Sequence, residues 1–448
     1  MLPLAMIVKA QGARVEGSDR ALDQGRTGAK FDYLRSLGIA LHPQDGSGLI
    51  RAGQTLIASA AVEDTVPDVA AAKAVGASRL SRAQLLAQLF NQAQTPIGVA
   101  GTSGKSTTTA MIGWILHHAG KGPTVMNGAV MKNFVSPDAL FASALVGEGE
   151  AFVSEVDESD GSIAMFNPKI AVLNNISLDH KSMDELRTLF GGFVDRGQKA
   201  VLNLDNNETA QLAEQLGDKA ITYSLLHDAD LRASNIKPQP FGVSFAVVDG
   251  QGVHEHVDLK MPGRHNVSNA LAAIAAASGC GVSLEQSTAA LCEFEGVKRR
   301  LEHVGEAGGV TIIDDFGHNP DKITASLKTL KEFPGRLLVM FQPHGFGPLK
   351  KMKTEFIETF VGNLGHEDIL LMPEPVYFGG TVDRSVSSKD IAAGVNAAER
   401  KAQALQDREA CGEHLMSLVK PGDRIIIMGA RDDTLSVFAE SLLKKLAS

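Results

Sequence analysis

The chain is poor in cysteine, in positive charge and in long apolar runs. Its 448 residues include three cysteines, which lack the spacing of a metal site or a disulfide framework, so we expect reduced thiols. No apolar run approaches the roughly 20 residues that cross a bilayer. The 43 lysines and arginines are outnumbered by 52 acidic residues, so nucleic-acid binding through general charge is not expected. We therefore expect a cytoplasmic protein without a membrane or nucleic-acid partner.

Helical and strand-like segments alternate along the chain, which is typical of α/β domains with parallel sheets. A chain of this length exceeds one ordinary core. The pattern predicts three consecutive domains: residues 1–94, 95–297 and 298–448. Residues 91–96 are polar and end in proline, and are interpreted as a linker. The first domain opens on a helix, so we expect a truncated Rossmann-like domain without its first strand and glycine-rich loop.

A glycine-rich segment, GVAGTSGKSTTT, joins a short apolar strand to a helix. Such a turn exposes backbone N–H groups at a helix N-terminus, which favours phosphate binding. The lysine reaches terminal phosphates and the next hydroxyl can bind Mg²⁺. The strict phosphate-loop pattern is not met, because Val99 stands where its first glycine would be. The predicted ATP-binding residues are Gly101, Thr102, Ser103, Gly104, Lys105, Ser106 and Thr107.

Two polar clusters follow neighbouring apolar strands of the same domain. Glu155 ends one strand and is followed by three more acidic residues. Carboxylate oxygens suit a nucleotide-bound Mg²⁺, although a solvated acidic turn would have the same composition. Asn174, Asn175, Asp179 and His180 follow the next strand. We predict metal or substrate contacts there, with a structural role as the alternative.

Polar residues also cluster in the last third of the chain and just before it. Asn266 leads into an alanine-rich helix and could simply be a helix cap. Arg300 is the last of three consecutive cations at the predicted domain boundary. Asp315 and His318 follow one apolar strand, and His344 follows the next. Polar groups at strand ends are candidates for a ligand site.

Taken in order, these segments resemble the Mur ligase family, the ATP-dependent amino-acid ligases of peptidoglycan synthesis. The segments that carry the resemblance are GTSGKSTTT, EVDESD, NNISLDH, PGRHNVSNA, VKRRLE and DDFGHNP. The resemblance implies a UDP-sugar domain, a central ATPase domain and a Rossmann-like C-terminal domain. It also implies activation of a carboxylate by ATP to an acyl phosphate, followed by attack of an amine.

By the same resemblance, Lys105 and its loop hold the ATP phosphates. Ser106 and Glu155 correspond to a first Mg²⁺ site, and His180 to a second. Arg300 corresponds to an arginine that approaches the phosphates. The implied catalytic residues are therefore Lys105, Glu155, His180 and Arg300.

The resemblance further implies nucleoside contacts by Asn266 and Asp315, and substrate contacts by His318 and His344. The substrates would be UDP-N-acetylmuramate and an amino acid, with L-alanine favoured. Gly345 stands where an arginine is usual among members that use L-alanine, which leaves a murein tripeptide as an alternative amine. A nucleotide-dependent switch or scaffold is the other alternative.

Overall fold

The computed structural model describes residues 1–59, 62–178, 181–252, 254–375, 383–430 and 432–447. It divides into two compact units. The first comprises Met1–Asn235, Phe245–Val257 and Val267–Glu295, and the second Ile236–Ser244, Asp258–Asn266 and Gly296–Ser448. The predicted α/β class is confirmed, whereas the boundaries at 94/95 and 297/298 stay a prediction. No helix in the described ranges combines the length and apolar character that a membrane span requires.

The first segment alternates short helices and strands. Its elements are α1 (Leu2–Ala10), β1 (Glu16–Ser18), α2 (Arg20–Asp23), α3 (Gly28–Ser36), β2 (Ala40–His42), β3 (Thr55–Ala58), α4 (Pro67–Val75), β4 (Ser78–Ser81) and α5 (Arg82–Gln92). β1 pairs with β2 and β3 with β4, both in parallel. Leu4, Ile7 and Phe90 are buried in one apolar cluster, so α1 and α5 are fixed by packing.

The predicted linker at residues 91–96 is wrong. Helix α5 continues through Gln92 and the next strand, β5 (Thr95–Ala100), begins three residues later. A capping box of Ser81 and Gln84 starts α5, and Phe90 anchors its last turn in the core. The polar composition of this segment reflects the exposed end of a helix, and Pro96 lies inside a fully buried strand.

The central segment follows β5. Its elements are α6 (Lys105–His118), β6 (Thr124–Met126), β7 (Ala144–Leu145), β8 (Ala151–Glu155), β9 (Ile170–Leu173), α7 (Met183–Arg196), β10 (Lys199–Asn203), α8 (Asn207–Leu216), β11 (Ala220–Ser224), β12 (Leu231–Gln239), β13 (Gly242–Asp249), β14 (His254–Leu259), α9 (Arg264–Ser278) and α10 (Leu284–Cys292), with short 3₁₀ turns at Lys132–Phe134, Ser162–Met165 and Gly217–Lys219.

One sheet in this segment determines where a ligand can bind. The described strands run in the order β14-β13-β12-β11-β10-β9-β5-β8-β6-β7. β5 pairs in parallel with β8 on one side and with β9 on the other. Val99 is level with Glu155, and Ala100 with Leu173, so the carboxyl ends of the three strands meet at one edge. The chain order reverses there, which is the usual ligand position in an open α/β sheet.

The second unit has its own sheet. Its elements are β15 (Glu302–Ala307), β16 (Val310–Asp315), α11 (Pro320–Lys331), β17 (Leu337–Gln342), α12 (Phe346–Lys351), α13 (Lys353–Asn363), β18 (Ile369–Pro373), α14 (Ser388–Ala397), β19 (Lys401–Leu405), α15 (Arg408–Leu418), β20 (Arg424–Gly429) and α16 (Thr434–Ala447). The order is β15-β16-β20-β17-β18-β19, and only the described edge strand β15 is antiparallel.

Alternating side chains give this sheet two buried faces. Ile313, Val339 and Ile426 belong to one apolar cluster, whereas Ile312 and Ile425 belong to the other. A strand that is buried on both faces appears in the sequence as a continuous apolar run, which is why β16, β17 and β20 were predictable. The polar residues after β16 and β17 lie at the carboxyl ends of the parallel strands.

Candidate functional site

The predicted phosphate loop connects β5 to α6. Gly101 has φ +128° and Gly104, the N-cap of α6, has φ +83°. A Cβ atom at Gly104 would lie 2.5 Å from Asn269 Oδ1 and 2.7 Å from Asn174 Nδ2. Glycine is therefore required at position 104 both by backbone conformation and by space. The first amides of α6 have no acceptor within the helix, so they can bind an anion at this end.

Lys105, the first residue of α6, is held at the mouth of the loop. Its Nζ donates to Gly101 O at 2.6 Å and to Glu158 Oε2 at 3.0 Å. The Lys105 side chain is 18% exposed and that of Glu158 is 7% exposed. The ammonium therefore lies where a loop-bound phosphate would need a positive charge.

Asn175, the second residue after β9, fixes the shape of the loop. Ser103 N donates to Asn175 Oδ1 at 3.0 Å, and Asn175 Nδ2 donates to Ser103 Oγ at 3.1 Å. Thr102 N donates to Asn175 O at 3.2 Å, and Thr102 Oγ1 donates to Ser177 O at 3.1 Å. The sequence predicts metal or substrate contact at Asn175, whereas in the structure its side chain is hydrogen-bonded to the loop.

A buried polar network supports the loop from behind. Asn174 Nδ2 donates to Thr108 Oγ1 at 2.9 Å, and Thr108 Oγ1 donates to Asn269 Oδ1 at 3.2 Å. Asn174 and Asn269 are the two side chains that leave no room for a Cβ at Gly104. No sequence signal links Asn269 to the loop. Asn269 is 165 positions after Gly104 in the chain, and the two come together only in the folded structure.

Glu155 and Ser106 are joined through one turn. Gly128 N donates to Glu155 Oε1 at 2.6 Å, and Asn127 Nδ2 donates to Ser106 O at 2.9 Å. Ser106 and Thr107 are buried in the first turn of α6. A hydroxyl and a carboxylate are the oxygen ligands that Mg²⁺ prefers, and a nucleotide-bound Mg²⁺ needs only one or two protein carboxylates. The residues therefore fit a metal–nucleotide complex.

Two residues of the predicted metal or substrate cluster, Asp179 and His180, lie outside the described residues. Among the described residues, no three His, Cys, Asp or Glu side chains converge into a metal cluster.

Near the loop, burial acts to raise the pKa of Asp157, but hydrogen bonds from Ser159 and the charge of Lys105 outweigh it and lower that pKa. The Asp157 carboxylate is therefore ionised at neutral pH.

In the second unit, Asp315 is tied into its own surroundings. It is buried and accepts hydrogen bonds from Leu301 N at 2.9 Å, Gly317 N at 2.9 Å and Ser326 Oγ at 2.8 Å. Asn266 is not a helix cap, because α9 begins at Arg264. Its Nδ2 donates back to Pro262 O at 2.7 Å.

The consecutive arginines of VKRRLE have different environments. Arg299 is buried, with contacts to Asp314 at 3.3 Å and to Gly429 O at 2.7 Å. Arg300 places its guanidinium 4.5 Å from the ring centre of Phe316. Of the two, Arg299 stabilises the unit and Arg300 is the candidate for ligand contact.

The predicted substrate histidines lie together, with ring centres of His318 and His344 5.4 Å apart. His318 Nδ1 is 2.9 Å from Phe316 O. Since a carbonyl oxygen only accepts, Nδ1 carries the proton and Nε2 is an acceptor. Burial, with the nearby charge of Lys322, lowers the pKa of His318 to about 3. The ring is therefore neutral at neutral pH.

The site residues thus form two sets. The phosphate loop with Glu155 belongs to the first unit, and Asn266, Arg300, Asp315, His318 and His344 belong to the second.

Family models match three segments of the chain. The model described as "Mur ligase family, catalytic domain" matches residues 1–94, "Mur ligase middle domain" matches residues 99–277, and "Mur ligase, glutamate ligase domain" matches residues 299–431. The fold thus comprises three domains of this family.

Full-length relatives and solved structures agree with these matches. The chain is 34% identical to UDP-N-acetylmuramate–L-alanine ligase of Geobacter sulfurreducens, over 100% of this chain and 95% of the relative. The crystal structure of a UDP-N-acetylmuramate-alanine ligase from Thermotoga maritima has the same fold, with TM-score 0.79, 24% identity and coverage of 99% and 96%. A murein peptide ligase from Psychrobacter arcticus has TM-score 0.72, 26% identity and coverage of 100% and 96%.

Proposed function

Since the chain belongs to the Mur ligase family, we propose that it is an ATP-dependent ligase that joins L-alanine to the carboxylate of UDP-N-acetylmuramate. The proposed substrates follow the name of the Geobacter relative, which is similar over the whole chain. The murein peptide ligase is also similar over the whole chain, and a peptide amine is therefore kept as an outcome of the test.

The phosphate loop is the observation that carries this proposal. It lies where β5, β8 and β9 end together, with Lys105 at its mouth. Catalysis of phosphoryl transfer consists largely of positioning and charge neutralisation. A loop of this kind supplies both, and no nucleophilic side chain is needed.

In this proposal the loop from Gly101 to Thr107 binds the ATP phosphates, and Lys105 neutralises their charge. Ser106 and Glu155 would hold Mg²⁺, which when bound would neutralise phosphate charge. We also propose His180 as a metal ligand, on the resemblance of NNISLDH alone.

The remaining roles are proposed on the resemblance alone. Arg300 is proposed as a further cation for the phosphates. A carboxylate accepts about four hydrogen bonds, and Asp315 already accepts three, so one acceptor position remains for a nucleoside, and Asn266 is proposed as a second nucleoside contact. The Nε2 lone pair of neutral His318 can accept an N–H from the incoming amine, with His344 beside it.

The chemistry occurs on the substrates in two balanced steps. A carboxylate oxygen attacks the terminal phosphorus of ATP and ADP leaves, which gives an acyl phosphate. The neutral amine then attacks the acyl carbon, phosphate leaves with the bridging oxygen, and the amide remains after loss of a proton.

The proposal is tested by mass spectrometry of reactions that contain ATP, Mg²⁺, UDP-N-acetylmuramate and one amine each. The amines are L-alanine, glycine, L-serine and the murein tripeptide. We expect the L-alanine adduct with equimolar ADP and phosphate. A tripeptide adduct without an alanine adduct would refute the choice of amine, and ADP release without any adduct would favour the switch.

A further inference from the structure

The ion pair between Lys105 and Glu158 has no role in the function proposed above. We propose that Glu158 is a positioning residue that holds the Lys105 ammonium in place while the phosphoryl group is transferred. This inference rests on the proposed ligase activity.

The donors of Lys105 support a lasting contact. Within the described residues its Nζ donates to two acceptors, Gly101 O at 2.6 Å and Glu158 Oε2 at 3.0 Å. An ammonium group has three N–H donors. Two of them fix the group between the loop and the acidic segment, and the third can be donated to a phosphate oxygen without breaking either contact.

The burial of Glu158 argues against its release when a nucleotide binds. Glu158 is 5% exposed. If Lys105 moved away, a buried carboxylate would be left without its cation beside an incoming phosphate, which is strongly unfavourable. Lys105 is therefore expected to stay between the two anions, so the carboxylate sets the position from which the ammonium acts.

The backbone around Glu158 is itself fixed. Ser159 N donates to Asp157 Oδ1 at 2.9 Å, and Gly161 N donates to Glu158 O at 3.1 Å. Glu155, three residues earlier, accepts instead from Gly128 N. One short segment thus presents one carboxylate to the proposed metal side and another to the lysine.

The flexible side chain of lysine explains why such an anchor matters. Its four-carbon stem has many rotamers, and it must be ordered for each turnover. Misplacement of a catalytic group by about 1 Å can reduce the rate on the order of a hundredfold. Loss of the anchor should therefore affect the rate of transfer more than the binding of nucleotide.

The test compares Glu158→Gln with wild type in the ligation assay and in calorimetric titration with Mg·ADP. We expect kcat to fall roughly tenfold to a hundredfold. The dissociation constant for Mg·ADP should stay equal or decrease, because a negative charge near the phosphates is removed. The matched control is Glu367→Gln, which breaks an exposed pair with Lys401 at 3.1 Å and should change neither quantity.

Thermal unfolding tests the pair independently of turnover. Lys105→Ala should lower Tm more in the wild-type background than in the Glu158→Gln background, because only the former leaves a buried charge unpaired. Equal losses would overturn the proposal.

The ligation results separate the two proposals. An active wild type with an unchanged kcat in Glu158→Gln would overturn the role of Glu158 alone. A fall in kcat together with weaker Mg·ADP binding would also overturn it, because Glu158 would then only support the loop. A wild type that forms no amide with any amine would refute the ligase proposal itself.

Discussion

Replacing Gly104 by alanine should destabilise the first unit far more than the same change at the other end of α6. Gly104 has φ +83° and Gly120 has φ +70°, so alanine at either position incurs a left-handed backbone cost of about 1–2 kcal/mol. At Gly120 no atom lies within 4 Å of the new Cβ, whereas at Gly104 it meets Asn269 Oδ1 at 2.5 Å and Asn174 Nδ2 at 2.7 Å. The buried network must shift, which adds about 1–3 kcal/mol.

The chain's single tryptophan makes this difference measurable. Trp114 lies in α6 and its Nε1 donates to Ala290 O at 2.7 Å, so its fluorescence follows unfolding of the unit that contains the loop. Urea titrations of wild type, Gly104→Ala and Gly120→Ala should give the lowest midpoint for Gly104→Ala. Equal midpoints for the two variants would refute the close contact behind the loop.

Three further results are expected. Glu155→Gln should raise the Mg²⁺ concentration for half-maximal ligation about 10- to 100-fold, because one proposed ligand is lost; an unchanged Mg²⁺ titration would place the metal elsewhere. Asn175→Ala should weaken Mg·ADP binding in calorimetry and lower the free energy of unfolding in the Trp114 transition by about 1–3 kcal/mol, because Ser103 N loses its acceptor. Unchanged values in both measurements would contradict the proposed support of the loop by Asn175. His318 has a pKa lowered from 6.5 to about 3, so between these pH values only the unfolded chain protonates this ring. The free energy of unfolding should therefore fall as pH drops from 6.5 toward 3. In chemical denaturation His318→Gln should reduce that fall, and a pH profile identical to that of wild type would contradict the lowered pKa of His318.

The phosphate loop could be predicted from sequence because its signals are local. A buried strand, two glycines and a lysine at a helix start occur within a dozen residues, and the structure has all of them in that order. The apolar runs of β9 and β17 predicted their strands for the same reason. The linker at residues 91–96 failed because polar composition does not distinguish a linker from the exposed end of a packed helix.

The supports of the loop could not be predicted, because they depend on tertiary contacts. Asn175 has the composition of a metal or substrate contact, yet its amide binds Ser103. Asn269 lies on α9 and reaches Thr108 only through the fold. Glu158 is one of four acidic residues between positions 155 and 160, and only the structure distinguishes it by its contact with Lys105. A short polar side chain has the same appearance in sequence whether it holds a ligand or a loop.

Transfer of a phosphoryl group to a substrate carboxylate, followed by amide formation, leaves an isotopic signature in the released phosphate. UDP-N-acetylmuramate with both carboxylate oxygens as ¹⁸O is incubated with ATP, Mg²⁺ and L-alanine, and the released phosphate is analysed by mass spectrometry. We expect one ¹⁸O atom in each phosphate, together with an amide product that retains the other. Phosphate without ¹⁸O would contradict it, because ATP would then be hydrolysed by water and the carboxylate would never be activated.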